Sequence, residues 1–254
     1  MTLPTEIRQV GCKECLDGAG LDFDFSMAFQ PIIDIAKGEV FAHEALVRGL
    51  DGRTAASVLG QVTESNRYRF DQSCRVTALR LASQLGIRSL LSINFLPNAV
   101  YRAETCIRAT LEAARLYDFP IRNILFEVTE AERVTDRRHL VAIFTEYKRQ
   151  GFLTALDDFG EGYSGLNLLV ELQPDIIKLD MALVRDIHEH RTKRLIVRAV
   201  TEVCHELGIR VIAEGVETQD ELSCLTDFGI TLFQGYLIAR PAFEALPVAH
   251  FPGR

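Results

Sequence analysis

Seven apolar runs along this chain each close on a side chain that can bind a metal or handle a proton. Glu44 follows Val-Phe-Ala-His, Asn94 follows Leu-Leu-Ser-Ile, and Glu127 follows Ile-Leu-Phe. Asp157 and Asp158 follow Leu-Thr-Ala-Leu, Lys178 follows Asp-Ile-Ile, Glu214 follows Arg-Val-Ile-Ala, and Gln234 follows Thr-Leu-Phe. A single polar residue at such a place says little, because a strand that ends must turn into solvent. All of them together form a constellation. Five carboxylates gathered at one mouth would repel or shift one another's pKa, and Lys178 and Arg48 are the only cations the pattern puts there. Divalent metal resolves that repulsion. Every donor is a hard oxygen, Asn94 through its amide carbonyl, with no histidine or cysteine among them, which favours Mg²⁺ or Mn²⁺ over zinc. The adjacent Asp157 and Asp158 suit two ions about 3.5–4 Å apart, as in phosphoryl-transfer hydrolases.

These residues meet only if the runs are strands of one barrel. Stretches at 27–33, 40–47, 90–95, 124–128, 152–156, 176–179, 209–213 and 231–233 are β-prone. They alternate with helical apolar spacing at 69–85, 104–117, 138–149, 192–207 and 219–228. Repeated alternation in 254 residues predicts an α/β fold, a modified (β/α)8 TIM-like barrel with its site at the C-terminal ends of the strands. Residues 34–39, containing Lys37-Gly38, are too few for a crossover helix and read as a hairpin. One antiparallel strand near the N-terminus follows. Thr218 with Glu221 three residues on reads as a capping box. The segment 1–25, polar and Gly-rich around 17–20, reads as a lead-in or linker, and 26–254 as the barrel.

Composition narrows the partners. A net charge of -7 argues against nucleic acid, whose phosphates call for a basic surface. No apolar run approaches the roughly 20 residues of a membrane span, and the first 30 residues lack a signal-type apolar core, so the expected location is cytoplasmic with no membrane contact by this chain. Cys12 and Cys15 are half a zinc site without a second half at finger spacing, and read as reduced thiols. His43 alternates to the face opposite Glu44. Glu217, beside the capping box, suits a helix N-terminus as well as a site. The basic residues between 191 and 198 read as a solvated helix face.

The ordered series of motifs resembles the EAL family of cyclic di-GMP phosphodiesterases. The name-giving Glu44-Ala45-Leu46 extends to Arg48. With it come Gln30-Pro31-Ile32, the Asn94 strand and Phe126-Glu127-Val128-Thr129-Glu130. Then follow Asp157-Asp158-Phe159-Gly160, Lys178-Leu179-Asp180, Ala213-Glu214-Gly215-Val216-Glu217 and Gln234-Gly235-Tyr236. The resemblance implies that Glu44, Asn94, Glu127 and Asp157 hold one Mg²⁺ or Mn²⁺ ion, and Asp157, Asp158 and Glu214 a second. It further implies that Lys178 contacts the attacking water, Gln234 and Glu214 serve the same reacting centre, Arg48 grips a substrate phosphate, and Gln30 and Asp180 border the substrate. Glu130 would hold the loop after Asp158, with Glu217 nearby. The implied reaction is attack of water on one phosphorus of cyclic di-GMP, with the 3′ oxygen leaving to give linear 5′-pGpG, in a homodimer. Glu161 stands where threonine is usual, and Gly165 where serine is usual. Two other functions stay open: a non-catalytic cyclic di-GMP receptor, and a barrel acting on another phosphodiester such as a glycerophosphodiester.

Overall fold

The computed structural model describes residues 20–130, 136–162 and 165–252. Cys12, Cys15, Tyr163 and Ser164 lie outside the described residues. The strands are β1 (Phe25–Asp34), β2 (Glu39–Gly49), β3 (Leu90–Asn94), β4 (Ile124–Thr129), β5 (Leu153–Phe159), β6 (Ile176–Leu179), β7 (Arg210–Ala213), β8 (Leu232–Phe233) and β9 (Ala242–Phe243). Neighbours run in the order β2-β3-β4-β5-β6-β7-β8-β1, and a β1–β2 pairing closes the barrel. β2 to β8 are parallel to one another. β1 is antiparallel to both neighbours, pairing Phe25 with Gly49 through Asp34 with Glu39 on one side and Ile33 with Phe233 on the other. The expected hairpin is therefore present. Asp34 Oδ1 accepts from Ala36 N and Lys37 N at 3.0 and 3.2 Å, and Gly38 takes φ 70°, where a side chain would be strained.

Strand alternation divides the core in two. Ile32, Ala42, Leu125, Ala155, Ile176, Ile212 and Leu232 face inward and make an apolar plug inside the barrel. The opposite faces pack on the helices Arg67–Gln84, Arg137–Arg149, Arg191–Glu206 and Gln219–Thr226. The capping box is formed, Thr218 accepting from Glu221 N while the Glu221 side chain accepts from Thr218 N. Phe23 joins this outer core, its ring centroid 6.1 Å from that of Phe70. The expected helix at 104–117 is broken into Ala103–Cys106 and Arg108–Leu116, with Ile107 between them. The short helices Ala55–Leu59, Gly165–Leu172 and Met181–Val184, and β9, were not expected. None is long enough to carry a periodic signal of its own. Among the described residues, no helix is long and apolar enough to cross a membrane.

Candidate metal centre

The plug fixes where the chemistry sits. Glu44, Glu127, Asp157, Lys178, Glu214 and Gln234 each lie two residues beyond a plug residue, so the two-residue pleat points them inward in the next layer. Gln30 joins that layer from the antiparallel strand, where it pairs across from Glu44. Beyond the last strand residues, Glu214 N donates to Leu179 O and Gln234 N to Ala213 O, which continues the ladder through both site residues. Oxygens of Glu44, Glu127 and Asp157 lie within 4.8 Å of one another, as do those of Asp157, Asp158 and Glu214. Asp157 belongs to both sets. Asp158 adopts φ 53°, a left-handed conformation that aspartate tolerates better than most residues, and its N–H donates to Asp157 Oδ1 at 3.0 Å.

Lys178 occupies the middle of this cluster. Its Nζ lies 2.7 Å from Glu214, 2.9 Å from Glu127, 3.0 Å from Asp157 and 3.5 Å from Glu44. Burial alone would lower its pKa, but Asp157, Glu127, Glu214 and Glu44 outweigh burial and hold it charged. One ammonium cannot neutralise so many carboxylates. Burial, with repulsion from Glu44 and Asp157, pushes Glu127 up to about 8 despite Lys178. Burial, Asp157 and Glu161 together raise Asp158 to about 7. Asp157 and Glu214 are also raised, burial being the largest cause in each. Glu44 moves the other way. Burial raises it, but Lys178 and amide donors outweigh that: Gln234 Nε2 donates at 2.8 Å and Asn94 Nδ2 at 3.0 Å. Asn94 Oδ1 is thereby left to bind a cation. By hydrogen-bond geometry Glu127 Oε1 is buried without a partner among the described residues, and a buried carboxylate oxygen set among other carboxylates suits a cation. The donor set fits divalent metal.

Residues 13–241 match the EAL domain family. The chain belongs to that family. A standalone EAL protein from Vibrio cholerae O395, solved in its c-di-GMP-bound form, is 54% identical with a TM-score of 0.88 and covers 91% of this chain and 98% of its own. BlrP1 from Klebsiella pneumoniae, in a manganese and cy-diGMP complex, is 38% identical with a TM-score of 0.83, over 92% of this chain and 61% of that one. The curated cyclic di-GMP phosphodiesterase PdeR from Escherichia coli is 32% identical over 222 residues, 82% of this chain and 33% of PdeR. The chain spans little more than half the length, or less, of the curated relatives it matches.

In this EAL barrel, Glu130 holds the loop after Asp158. Its carboxylate accepts from Gly160 N at 2.9 Å and Gly165 N at 2.6 Å. The glycine at 165 matters to the fit: a Cβ there would stand 2.9 Å from Glu130 Oε2 and 3.0 Å from the Phe159 ring. Glu161 is exposed, yet its charge still contributes to raising Asp158. A cleft of about 300 Å³ opens above the carboxylates, lined by Gln30, Glu44, Asp158, Asp180, Glu214, Glu217 and Gln234. Asp180 Oδ1 also caps the helix Met181–Val184 by accepting from Ala182 N at 2.8 Å. Glu217 is exposed and paired with Arg185 at 2.8 Å. Arg48 stands apart. It lines a separate cavity with Arg53, Pro241 and Phe243, and its Nη1 donates to Val47 O at 2.7 Å. His43 faces away from the site, with Nδ1 2.9 Å from Ser89 Oγ, and burial lowers its pKa to about 4.

Sequence reasoning missed four contributors. Met181 and Tyr236 line the cleft, each half exposed. Arg240 sits 4.0 Å over the Tyr236 ring, so with Arg185 it corrects the expectation that Lys178 and Arg48 are the only cations at this end. Tyr236 follows Gln234 by two residues, and that spacing was the available signal; nothing local marks Arg185 or Arg240.

Proposed function

We infer that this EAL barrel is a divalent-metal-dependent phosphodiesterase that opens cyclic di-GMP to linear 5′-pGpG. The carrying observation is the pair of carboxylate sets that share Asp157 beneath a cleft. That is the donor pattern for two ions acting on one phosphate. The named activity of PdeR, the c-di-GMP bound to the Vibrio cholerae protein and the manganese complex of BlrP1 support substrate and ion class. Glu44, Asn94, Glu127 and Asp157 would hold one Mg²⁺ or Mn²⁺, and Asp157, Asp158 and Glu214 the other. Bound ions of this kind acidify a water and offset phosphate charge.

The chain's own groups do the positioning. With those carboxylates serving bound ions, Lys178 would direct its N–H groups at the attacking water. Gln234 keeps Glu44 in place through its 2.8 Å bond. The water oxygen bonds to phosphorus, the P–O3′ bond breaks, and one proton of that water ends on the departing 3′ oxygen. Arg48, turned from the Val47 carbonyl, grips a phosphate, while Gln30 and Asp180 border the dinucleotide and Tyr236 offers a face on which a guanine can stack. Leu166 and Val170, one turn apart on the helix Gly165–Leu172, are 65% and 74% exposed, which supports a homodimer through that face. We take 26–254, together with Phe23 and Phe25 that pack with it, as the catalytic unit, the rest of 1–25 as its lead-in, and the cytoplasm as its setting.

The test is product analysis with Mg²⁺ or Mn²⁺ and cyclic di-GMP. Linear 5′-pGpG, abolished by EDTA, is the expected result. Tight binding without product would replace this reading with a receptor. Turnover confined to another phosphodiester would replace the substrate.

A further inference from the structure

On the outer face of the strands that carry Asn94 and Glu127 lies a buried ion pair that the proposed chemistry does not use. Asp71 and Arg75 stand one turn apart on the helix Arg67–Gln84 and are 4% and 1% exposed. Arg75 Nη2 lies 2.6 Å from Asp71 Oδ2, and Nη1 donates to the Tyr147 hydroxyl at 2.9 Å. Its guanidinium carbon is 5.0 Å from the Phe126 ring centroid, 5.6 Å from Phe95 and 5.8 Å from Tyr147. The other oxygen, Asp71 Oδ1, accepts from Leu96 N at 2.9 Å.

Strand alternation gives these contacts their meaning. Phe95 and Phe126 are the outward-facing neighbours of Asn94 and Glu127, which face inward and pair with each other in register. Phe95 N donates to Glu127 O at 3.0 Å, so the two strand ends are tied at this level. The guanidinium therefore packs on both residues adjoining two of the cation donors, and the carboxylate anchors the backbone two residues past Asn94. A cavity of about 310 Å³ borders Asp71, Asn94, Phe95 and Leu96. Burying two charges carries a desolvation cost that apolar residues of similar volume avoid, so fold stability alone does not account for the pair.

We propose that Asp71 and Arg75 are positioning residues for the metal centre, fixing Asn94 and Glu127 from behind through Leu96, Phe95 and Phe126. This rests on the metal reading of the site given above. The pair sets metal affinity and leaves substrate recognition alone.

The experiment compares Mn²⁺ binding, followed by the electron paramagnetic resonance of the free ion, in the wild-type chain, Asp71→Leu/Arg75→Met and Tyr147→Phe. The double substitution removes both charges together, which buried ion pairs commonly tolerate. It is expected to weaken Mn²⁺ binding at least about tenfold, in line with losses at residues that orient metal ligands. KM for cyclic di-GMP at saturating Mn²⁺ should stay within about twofold, since uniform substrate binding is untouched. A folded double variant with the wild-type Mn²⁺ titration overturns the proposal. Should that variant not fold, Tyr147→Phe decides: it keeps the ring and removes one guanidinium partner, and it should weaken Mn²⁺ binding about threefold. An unchanged titration there also overturns the proposal. If the wild-type chain itself binds no Mn²⁺, the metal reading fails and takes this one with it.

Discussion

Lys178 stands where carboxylates would otherwise face one another across the barrel axis, at 2.7 to 3.5 Å from each of its partners. On the proposed reading a lysine so placed serves the reacting centre and not substrate capture. Lys178→Ala should therefore lower kcat at least about 100-fold with KM within several-fold, read from steady-state rates at saturating Mg²⁺. Arg48→Ala should raise KM mainly, and equal affinity losses with unchanged kcat in both variants would contradict the assigned roles. Glu161 presents the opposite case. Its side chain is exposed, so Glu161→Thr should change kcat/KM by less than about tenfold, under roughly 1.4 kcal/mol; a wild type that binds without turnover while the threonine variant cleaves would refute this. The site's oxygen donors were legible in the sequence because a strand's two-residue period fixes which way each end residue points. Lys178 was legible on the same ground, while Arg48, Arg185 and Arg240 were not. A long flexible stem lets Arg48 turn back to Val47 O, and such choices are made by tertiary contacts that no local spacing records.

Among the elements, Gly160 and Gly165 on either side of the turn after β5 are both tied to one side chain just past β4, that of Glu130. Glu130→Ala would release the N–H groups of Gly160 and Gly165, both now bound to its carboxylate. Two unmade hydrogen bonds to a charged acceptor cost about 1.5–3 kcal/mol each, and the loop carries Asp158 at its base. The expected outcome is a loss of kcat of at least about tenfold with weaker Mn²⁺ binding, measured by metal titration; wild-type values would show the loop to be self-supporting. Strands and long helices were readable because periodicity accumulates over several residues. The helix Gly165–Leu172 was not, since its apolar run follows closely spaced glycines and its pitch is imposed by packing of Leu168, Leu169 and Leu172 on the core. β9 is two residues long and exists because β8 leaves part of β1's edge unpaired, a vacancy visible only in the closed barrel.

For the whole molecule, the crowded carboxylates make stability depend on pH in an unusual direction. Glu127 titrates near 8 and Asp158 near 7 in the folded chain, against ordinary values of 4.5 and 3.8. Between those limits the folded metal-free chain binds protons that the unfolded chain has released, so its stability falls as pH rises. Tm in EDTA should decline from pH 5 to pH 8, and Mg²⁺ or Mn²⁺ should restore it most at the alkaline end, where no proton competes for the oxygens; a Tm that climbs with pH in EDTA would contradict the electrostatics described. Hydrolysis should likewise be supported by Mg²⁺ or Mn²⁺ and not by Ca²⁺, whose longer and looser bonds misplace the nucleophile; equal rates with Ca²⁺ would sink that expectation. The seam of the barrel has a kinetic consequence as well. β1 emerges first from the ribosome among the strands, yet one of its two edges pairs with β8 and β9, which emerge last. Its main-chain groups on that side wait for roughly 200 residues of synthesis, and contacts of such sequence separation slow folding. Until then β1 is an open, hydrophobic edge, a template for pairing with another nascent chain, so crowded expression at high temperature should favour aggregation over closure.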